Sequence, residues 1–593
     1  MTPQPPRRVA VVGAGAAGAF FTLELSRLLP EVAVDLYDRE ERSPGAGIVM
    51  SWEFAEKVRA AHPEAFALPP AAMATWDRTL TVAGDERIWS GAYGMFGLTR
   101  RVFRRHVAEL AAGLPNVRFL RHDVLSRPAG ADLVVVADGA NSRLRGRYGG
   151  PFGTRGTPGR TVFLWMRTPA VLLPTFVLRS SGPGLLIVHS YPHGEQESTF
   201  IVEAHPRTLD ALGLLDRPLP DVERELAAVF ADELAGAPLH SQTWGWRAFP
   251  TVVNDRWHHG NLVLIGDAAH TTHFSIGSGT ALAIDDALTL ARCLATHPSV
   301  GTALPAYEST RRPIVTATQA EAQDSQQWFE TLSLRPRLNG HQTVFALRSR
   351  RTANTYARLE SHDPAFTMAT LRTLAGHPTT DSPSDLPLVL GGLHLTGRTA
   401  TTTPLPTAQA ASLPATPAPP VLSPTSQVPS PAPTRRDVVR RVRRRRTADA
   451  VVLPTATGGA WCMVADGPPG ETTAVPPCVL VEVNDHTDPG ELVRAYRSAG
   501  ACAVGLLISE DAPLKETHGA DLLAVPAQPG TGRIARTRLA DRLRYDHEIP
   551  VLLLTPDELS HDEADTLIAA GRIDLVATID PQDIARLPTP TAH

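Results

Sequence analysis

Residues 8–38 constrain this chain more than any other stretch. Arg8-Val-Ala-Val-Val12 is a short apolar run suited to a fully buried parallel strand. Gly13-Ala-Gly15-Ala-Ala-Gly18 follows at once and opens a helix, and Asp38 stands twenty residues beyond Gly18 at the end of a second strand. The first glycine permits the tight turn, the second lets a pyrophosphate reach the backbone, and the third allows close helix–strand packing. The helix N-terminus presents free N–H groups and the positive end of its dipole to an anion. An acid in the place of Asp38 bonds ribose hydroxyls. A glycine-rich turn without a ligand is the bland alternative. The strand–turn–helix–strand context and the acid weigh against it, so the segment is expected to bind a dinucleotide.

Two later motifs indicate which dinucleotide. Val263-Leu-Ile-Gly266-Asp267-Ala-Ala-His270 follows a strand, and Ile276-Gly277-Ser-Gly279 opens a helix carrying Asp285-Asp286-Ala287. An aspartate at a strand end can bond a ribityl hydroxyl. A glycine-rich helix start can stabilise negative charge on a flavin N1–C2=O edge. The third motif, Val136-Ala-Asp138-Gly139-Ala-Asn-Ser-Arg143-Leu-Arg145, again follows an apolar strand.

Together the three motifs resemble those of the class A flavoprotein aromatic hydroxylases, the p-hydroxybenzoate-hydroxylase fold group. The stretch Trp257–Thr280, with Ser198–Glu203 and Ala306–Pro313, is similar to the salicylyl-CoA 5-hydroxylase and 2-aminobenzoyl-CoA monooxygenase/reductase group. The resemblance spans about residues 7–365. It implies FAD bound by Gly13, Gly15, Gly18, Asp38, Gly266, Asp267, Gly277 and Gly279, with Arg100 as a cofactor-contacting arginine. Asp138 and Gly139 are associated with FAD and nicotinamide use. The implied reaction uses NAD(P)H and molecular oxygen to hydroxylate a small electron-rich aromatic ring through a flavin C4a-hydroperoxide. The implied substrate is an amino- or hydroxybenzoate, in these relatives a CoA thioester. Ala281 stands where the CoA-using relatives are expected to have lysine. Two other readings stay open: hydroxylation of a free indole or tryptophan-derived metabolite, and a non-catalytic flavoprotein scaffold.

The expected fold is α/β. A Rossmann-like FAD-binding domain (1–155 and 250–300) carries an inserted antiparallel substrate sheet (156–249), and a helical region follows (301–385). Ten prolines in residues 404–433, with no aromatic or charged residue, predict an extended linker over 404–434. Eight arginines in residues 435–446 follow, read as a solvated face. Segments 386–403 and 447–593 carry traces of an old-yellow-enzyme-like barrel. From Leu386 to His593 there are 208 residues, against about 250 for a full (β/α)₈ barrel. A degenerate, structural α/β barrel is therefore expected there.

Composition narrows the class. Net charge is −4, with 20% charged and 43% hydrophobic residues, values of an ordinary globular chain and not of a nucleic-acid coat. No apolar run is long enough for a transmembrane helix, and no apolar leader precedes Arg8, so a cytoplasmic location is expected. Cys293, Cys462, Cys478 and Cys502 are scattered, which fits neither a disulfide scaffold nor a metal site. His258-His259 lacks a third ligand, and no metal is expected. Oligomeric state is left open. For catalysis the candidates are residues that shape a pocket: His273 and Phe274 beside the flavin turn, and Tyr93 in Gly91–Gly97. Trp244-Gly-Trp246 is expected to pack the sheet.

Overall fold

The computed structural model describes residues 5–39, 46–332, 338–403 and 450–578. The last range is interrupted at 456–457, 466–468, 470–476, 484–487, 509–513, 515, 527–532, 548 and 557–558. The expected linker at 404–434 and the arginine run lie outside the described residues. The chain divides into two compact units, residues 1–370 and 371–593.

The first unit is built on two sheets. Arg8–Val12 is central in the six-stranded sheet, parallel to Ala33–Asp38 on one side and Leu133–Val136 on the other. Leu262–Leu264 pairs with Leu133–Val136, and Val117–Arg121 closes the far edge beside Ala33–Asp38. Helices cover these strands, so Val9, Ala10 and Val11 are fully buried. Helix Ala16–Leu28 lies against helix Gly279–Thr296 and buries Phe20, Phe21 and Leu25 completely. Each such side chain contributes about 1.5–3 kcal/mol.

The second sheet has nine strands. Arg155–Thr168, Ser198–Ala204, Leu185–Pro192 and Thr175–Ser180 run antiparallel in that spatial order. Met73–Ala83 then joins parallel to Thr175–Ser180, followed by Glu86–Thr99 and Gly47–Ser51. The expected insertion began at residue 156. By pairing, the hairpin over 73–99 also belongs to this sheet, because its register continues the Thr175–Ser180 edge.

Alternation along the strands sends side chains to two faces. Leu164, Met166, Val188, Phe200 and Val202 join a core with Val222, Leu226 and Phe230 of the Leu219–Val229 helix and its end. Phe163, Trp165, His189, Ile201 and Glu203 have the opposite phase. The unit ends in helices Val300–Glu330, Gly340–Arg348 and Tyr356–His362.

In the second unit eight strands form a closed cycle. Thr399–Thr403 pairs in parallel with Leu575–Thr578. The chain of parallel neighbours continues through Val551–Thr555, Leu522–Pro526, Ala503–Leu507, Cys478–Glu482 and Gly458–Ala465. Ala450–Thr455 closes the ring by antiparallel pairing to both Gly458–Ala465 and Thr399–Thr403. Cys478, Leu480, Leu507, Leu522, Leu552 and Leu575 fill the interior, together with Leu390, Leu393 and Leu395 of the hairpin Leu388–Leu395. The outward residues Val479, Val504, Leu523, Val551 and Val576 meet helices Pro489–Ser498, Arg533–His547 and His561–Ala569. Among the described residues of this ring only these three helices follow strands, where a full barrel of this type has eight.

Candidate active site

A single cleft of about 1560 Å³ runs through the first unit, from the glycine turn to the cleft-facing side of the nine-stranded sheet. It exceeds the 300–1,000 Å³ of ordinary ligand pockets, leaving room for a cofactor and a substrate together.

The glycine turn is shaped by contact. Gly13 has φ +107°, and a Cβ there would lie 2.3 Å from the Ala137 carbonyl oxygen. A Cβ on Gly18 would fall 1.8 Å from the Gly13 oxygen. Gly15 differs: a Cβ would meet nothing, because this position opens on the cleft. The packing glycines and the approach glycine are thus distinct, as a bound pyrophosphate requires. Asp38 lines the cleft, and Arg104 Nη2 donates to its two carboxylate oxygens at 2.8 and 3.1 Å.

The second and third motifs converge on the same cleft. Asp138 accepts from the Arg143 amide at 2.9 Å, while its buried Oδ1 lacks a partner. Gly139 sits at φ +89° and Gly266 at φ +58°. Asp267 faces the cleft, and its carboxylate has no hydrogen-bond partner among the described residues. Gly277, at φ +64°, and Gly279 lead into the helix Gly279–Thr296 on the cleft wall. Beneath them lies a buried cluster. Asp286 accepts from the Gly266 amide (3.0 Å) and Arg311 Nε (2.8 Å), and it meets His270 Nε2 at 2.6 Å. Burial pushes the Asp286 carboxyl up, and His270 and Arg311 more than reverse it, so it stays ionised below its usual range. Arg100 lies over the Trp165 ring, and its Nε is buried without a partner. Burial lowers this guanidinium below its ordinary range. An open Gly15, an unpartnered Asp267, the orphaned Asp138 oxygen and the orphaned Arg100 nitrogen fit FAD.

The opposite end of the cleft is aromatic. Phe163, Trp165, Phe176, Phe249 and Phe274 line it. Phe274 lies edge-on to Phe163, with centroids 5.0 Å apart. His273 does not line the cleft with Phe274. It is buried behind that ring at 4.2 Å between centroids and edge-on to Phe249, and its Nδ1 is 2.8 Å from Ser275 Oγ. Burial pushes its imidazole down to about 4, so it is neutral at pH 7. The backbone of Tyr93 lies in the strand Glu86–Thr99, and its side chain is outside the described residues. Trp246 donates to the Leu214 carbonyl and packs the sheet as expected, but Trp244 is 77% exposed and lines the cleft.

Three side chains on this end were not among the expected site residues, although Glu203 closes the stretch Ser198–Glu203. His189 lines the cleft, and its Nε2 lies 3.0 Å from Glu203. Glu203 also accepts from Thr161 Oγ1 at 2.6 Å. Burial pushes Glu203 up, but His189, His273 and Thr161 outweigh it and hold the carboxyl below its usual range. Arg350 lines the cleft over the Phe176 and Phe329 rings, and its Nε donates to Ser325 Oγ at 2.8 Å. Burial lowers this cation to about 9, still charged at neutral pH. The available signal was local: His189 follows the apolar run Leu185–Val188, and Glu203 follows Phe200–Val202.

Comparison with known proteins agrees with this geometry. A sequence model of the FAD binding domain matches residues 115–322. The chain is 34% identical over 341 residues to a salicyloyl-CoA 5-hydroxylase of a Streptomyces species, covering 54% of this chain and 65% of that protein. It is 35% identical over 333 residues to the 3-hydroxy-4-methyl-anthranilyl-[aryl-carrier protein] 5-monooxygenase of Streptosporangium sibiricum, covering 55% and 90% respectively. It is 30% identical over 357 residues to the protodeoxyviolaceinate monooxygenase of Chromobacterium violaceum, covering 58% and 94%.

Proposed function

We propose that this chain, which belongs to the FAD-dependent aromatic monooxygenases, hydroxylates an electron-rich amino- or hydroxybenzoate presented as an acyl thioester. The observation that carries the reading is the continuity of the cleft: one cavity joins the dinucleotide cradle at Gly15 to the aromatic chamber at Phe274 and Phe176. The thioester is supported by two relatives whose names specify CoA- and carrier-linked aryl substrates.

FAD, when bound, supplies oxygen activated at the expense of NAD(P)H and dioxygen. The chain's own residues do the rest. Gly15 and the start of the Ala16–Leu28 helix would receive the pyrophosphate, and Asp267 would accept a hydrogen bond from a ribityl hydroxyl. The start of the Gly279–Thr296 helix would stabilise negative charge on the flavin through the positive end of its dipole. Phe163, Phe249 and Phe274 hold the substrate ring and exclude water, which would otherwise divert the activated oxygen. Arg350 gives this end a buried positive charge suited to an anionic ring substituent.

Mass spectrometry of reaction products tests the reading. FAD-loaded protein with NADH or NADPH is offered salicylyl and anthraniloyl groups as CoA thioesters, as carrier-protein thioesters and as free acids. The expected result is one added oxygen on a thioester. Hydroxylation confined to free acids or free indoles would overturn it.

A further inference from the structure

We propose that His189 is the base that takes the proton from the substrate's ring hydroxyl, and that Glu203 holds it for that task. The inference rests on the monooxygenase reading above and assigns the proton step to a residue that no motif marks.

Register places the pair. Leu185–Pro192 and Ser198–Ala204 run antiparallel with His189 opposite Ile201, so Glu203 is its diagonal neighbour on the same face. The imidazole Nε2 faces the Glu203 carboxylate at 3.0 Å, and Thr161 donates to the other carboxylate oxygen. A carboxylate only accepts, so the Nε2 proton is fixed there and the lone pair is left on Nδ1. Nδ1 has no protein partner among the described residues, on a ring that lines the cleft. Phe176 sits directly across from His189 in the next strand, and Phe274 lies edge-on to it at 5.2 Å. A substrate ring against these aromatics has the imidazole at its edge.

The surrounding charges suit the transfer. The charged or titratable groups around the imidazole are Glu203 on the neighbouring strand, His273 behind Phe274, and Arg350 beyond the Phe176 and Phe329 rings. His273 is neutral, Glu203 is held ionised and Arg350 is a cation. Moving a proton from substrate to His189 creates a cation beside Glu203 and leaves the new anion against that cation, in a chamber that also holds Arg350. The net charge of the chamber is unchanged, and each new charge has a fixed opposite partner, which is the cheap way to separate charge away from water.

In the step, the ring O–H bond breaks, its proton moves to Nδ1, and its electron pair enters the ring. The carbon made nucleophilic forms a C–O bond with one oxygen atom of the dioxygen that NAD(P)H has reduced by two electrons; the O–O bond breaks as it does so, and the second oxygen leaves with the bonding pair and ends as water. The hydrogen on that carbon leaves as a proton to water, and its bonding pair restores the aromatic ring. The imidazolium then returns its proton to the substituent it came from.

The test uses FAD-loaded protein and His189→Gln, whose amide can still donate to Glu203 but offers no basic nitrogen. The first readout is the visible spectrum of bound 4-nitrophenol, a probe of phenol ionisation that needs neither turnover nor a thioester. Wild-type protein is expected to lower the probe's ionisation midpoint by a pH unit or more, and His189→Gln to abolish that shift. The second readout is product formed per NAD(P)H with the thioester substrates. In His189→Gln it is expected to fall at least tenfold near pH 7 and to recover as pH approaches the substrate's own ionisation. Glu203→Gln leaves the imidazole in place and gives a smaller shift in the same direction. It carries the test should His189→Gln fail to fold. Equal ionisation in variant and wild type, or a probe that wild type neither binds nor ionises, would overturn the proposal. If no thioester is hydroxylated but probe ionisation still depends on His189, the substrate reading fails and this one stands.

Discussion

The Arg145 guanidinium donates to the Ala268 carbonyl at 2.8 Å, joining the segment after Asp138-Gly139 to the turn that carries Asp267. It also donates to the Ala140 carbonyl at 2.6 Å. Two motifs more than a hundred residues apart are therefore tied together by one buried cation. Arg145→Met removes the donor to Ala140 and leaves the Ala268 carbonyl only the longer bond from Asn254 Nδ2 at 3.5 Å. Each buried carbonyl left without a donor costs about 1–3 kcal/mol. The variant is expected to melt lower and to lose FAD on gel filtration, read as the flavin-to-protein absorbance ratio.

Gly13 and Gly15 separate folding from binding. Gly15 has φ −70° and open space, so Gly15→Ala should keep the wild-type melting temperature within a few degrees and bind FAD at least tenfold more weakly. Gly13→Ala meets both a positive φ and the Ala137 carbonyl, and should destabilise the apoprotein itself. Thermal melts of the apoproteins with flavin-fluorescence titrations check the contrast. Equal melts for the two variants would refute it.

His273 makes stability depend on pH. Its folded value is about 4, below the ordinary 6.5 because of burial. Between those values the unfolded chain binds a proton that the folded one does not, so stability rises with pH across this window. The full effect is about 3 kcal/mol. Urea unfolding from pH 4 to pH 7 should therefore show a smaller slope of stability against pH in His273→Gln, by about one proton.

Phe274 should matter more for coupling than for stability. It is half-buried and stands between Phe163 and His189 on the cleft wall. Phe274→Ala opens the chamber to water, so hydrogen peroxide released per NAD(P)H consumed should rise several-fold. The measured melting temperature should fall only modestly.

The cofactor end of the site is legible in sequence because it is local. Gly13, Gly15 and Gly18 lie within one turn, and the strand before them is a continuous apolar run whose burial follows from composition. Asp267 and Gly277 are readable for the same reason. The chamber is not local. His189 and Glu203 meet only through the register of two strands, and Arg350 reaches the cleft from a distant helix end. Proximity to the flavin turn drew attention to His273, yet its strand-free loop turns it behind Phe274, where Ser275 satisfies its ring. The ring of strands in the second unit was half legible. Five of its parallel strands are apolar runs, whereas Thr399–Thr403 and Gly458–Ala465 are rich in threonine or glycine and show themselves only by what they pair with.

The seam between Thr399–Thr403 and Leu575–Thr578 sets an order of events during translation. The ring's last strand is synthesised after all of the others, so earlier strands wait with unpaired edges at Thr399–Thr403 and Val551–Thr555. Exposed edges of that kind recruit strands from other chains. A ribosome that stalls or a protease that cuts shortly before Leu575 would therefore leave an open, sticky ring of seven strands, whereas all of residues 1–370 have already been made by then.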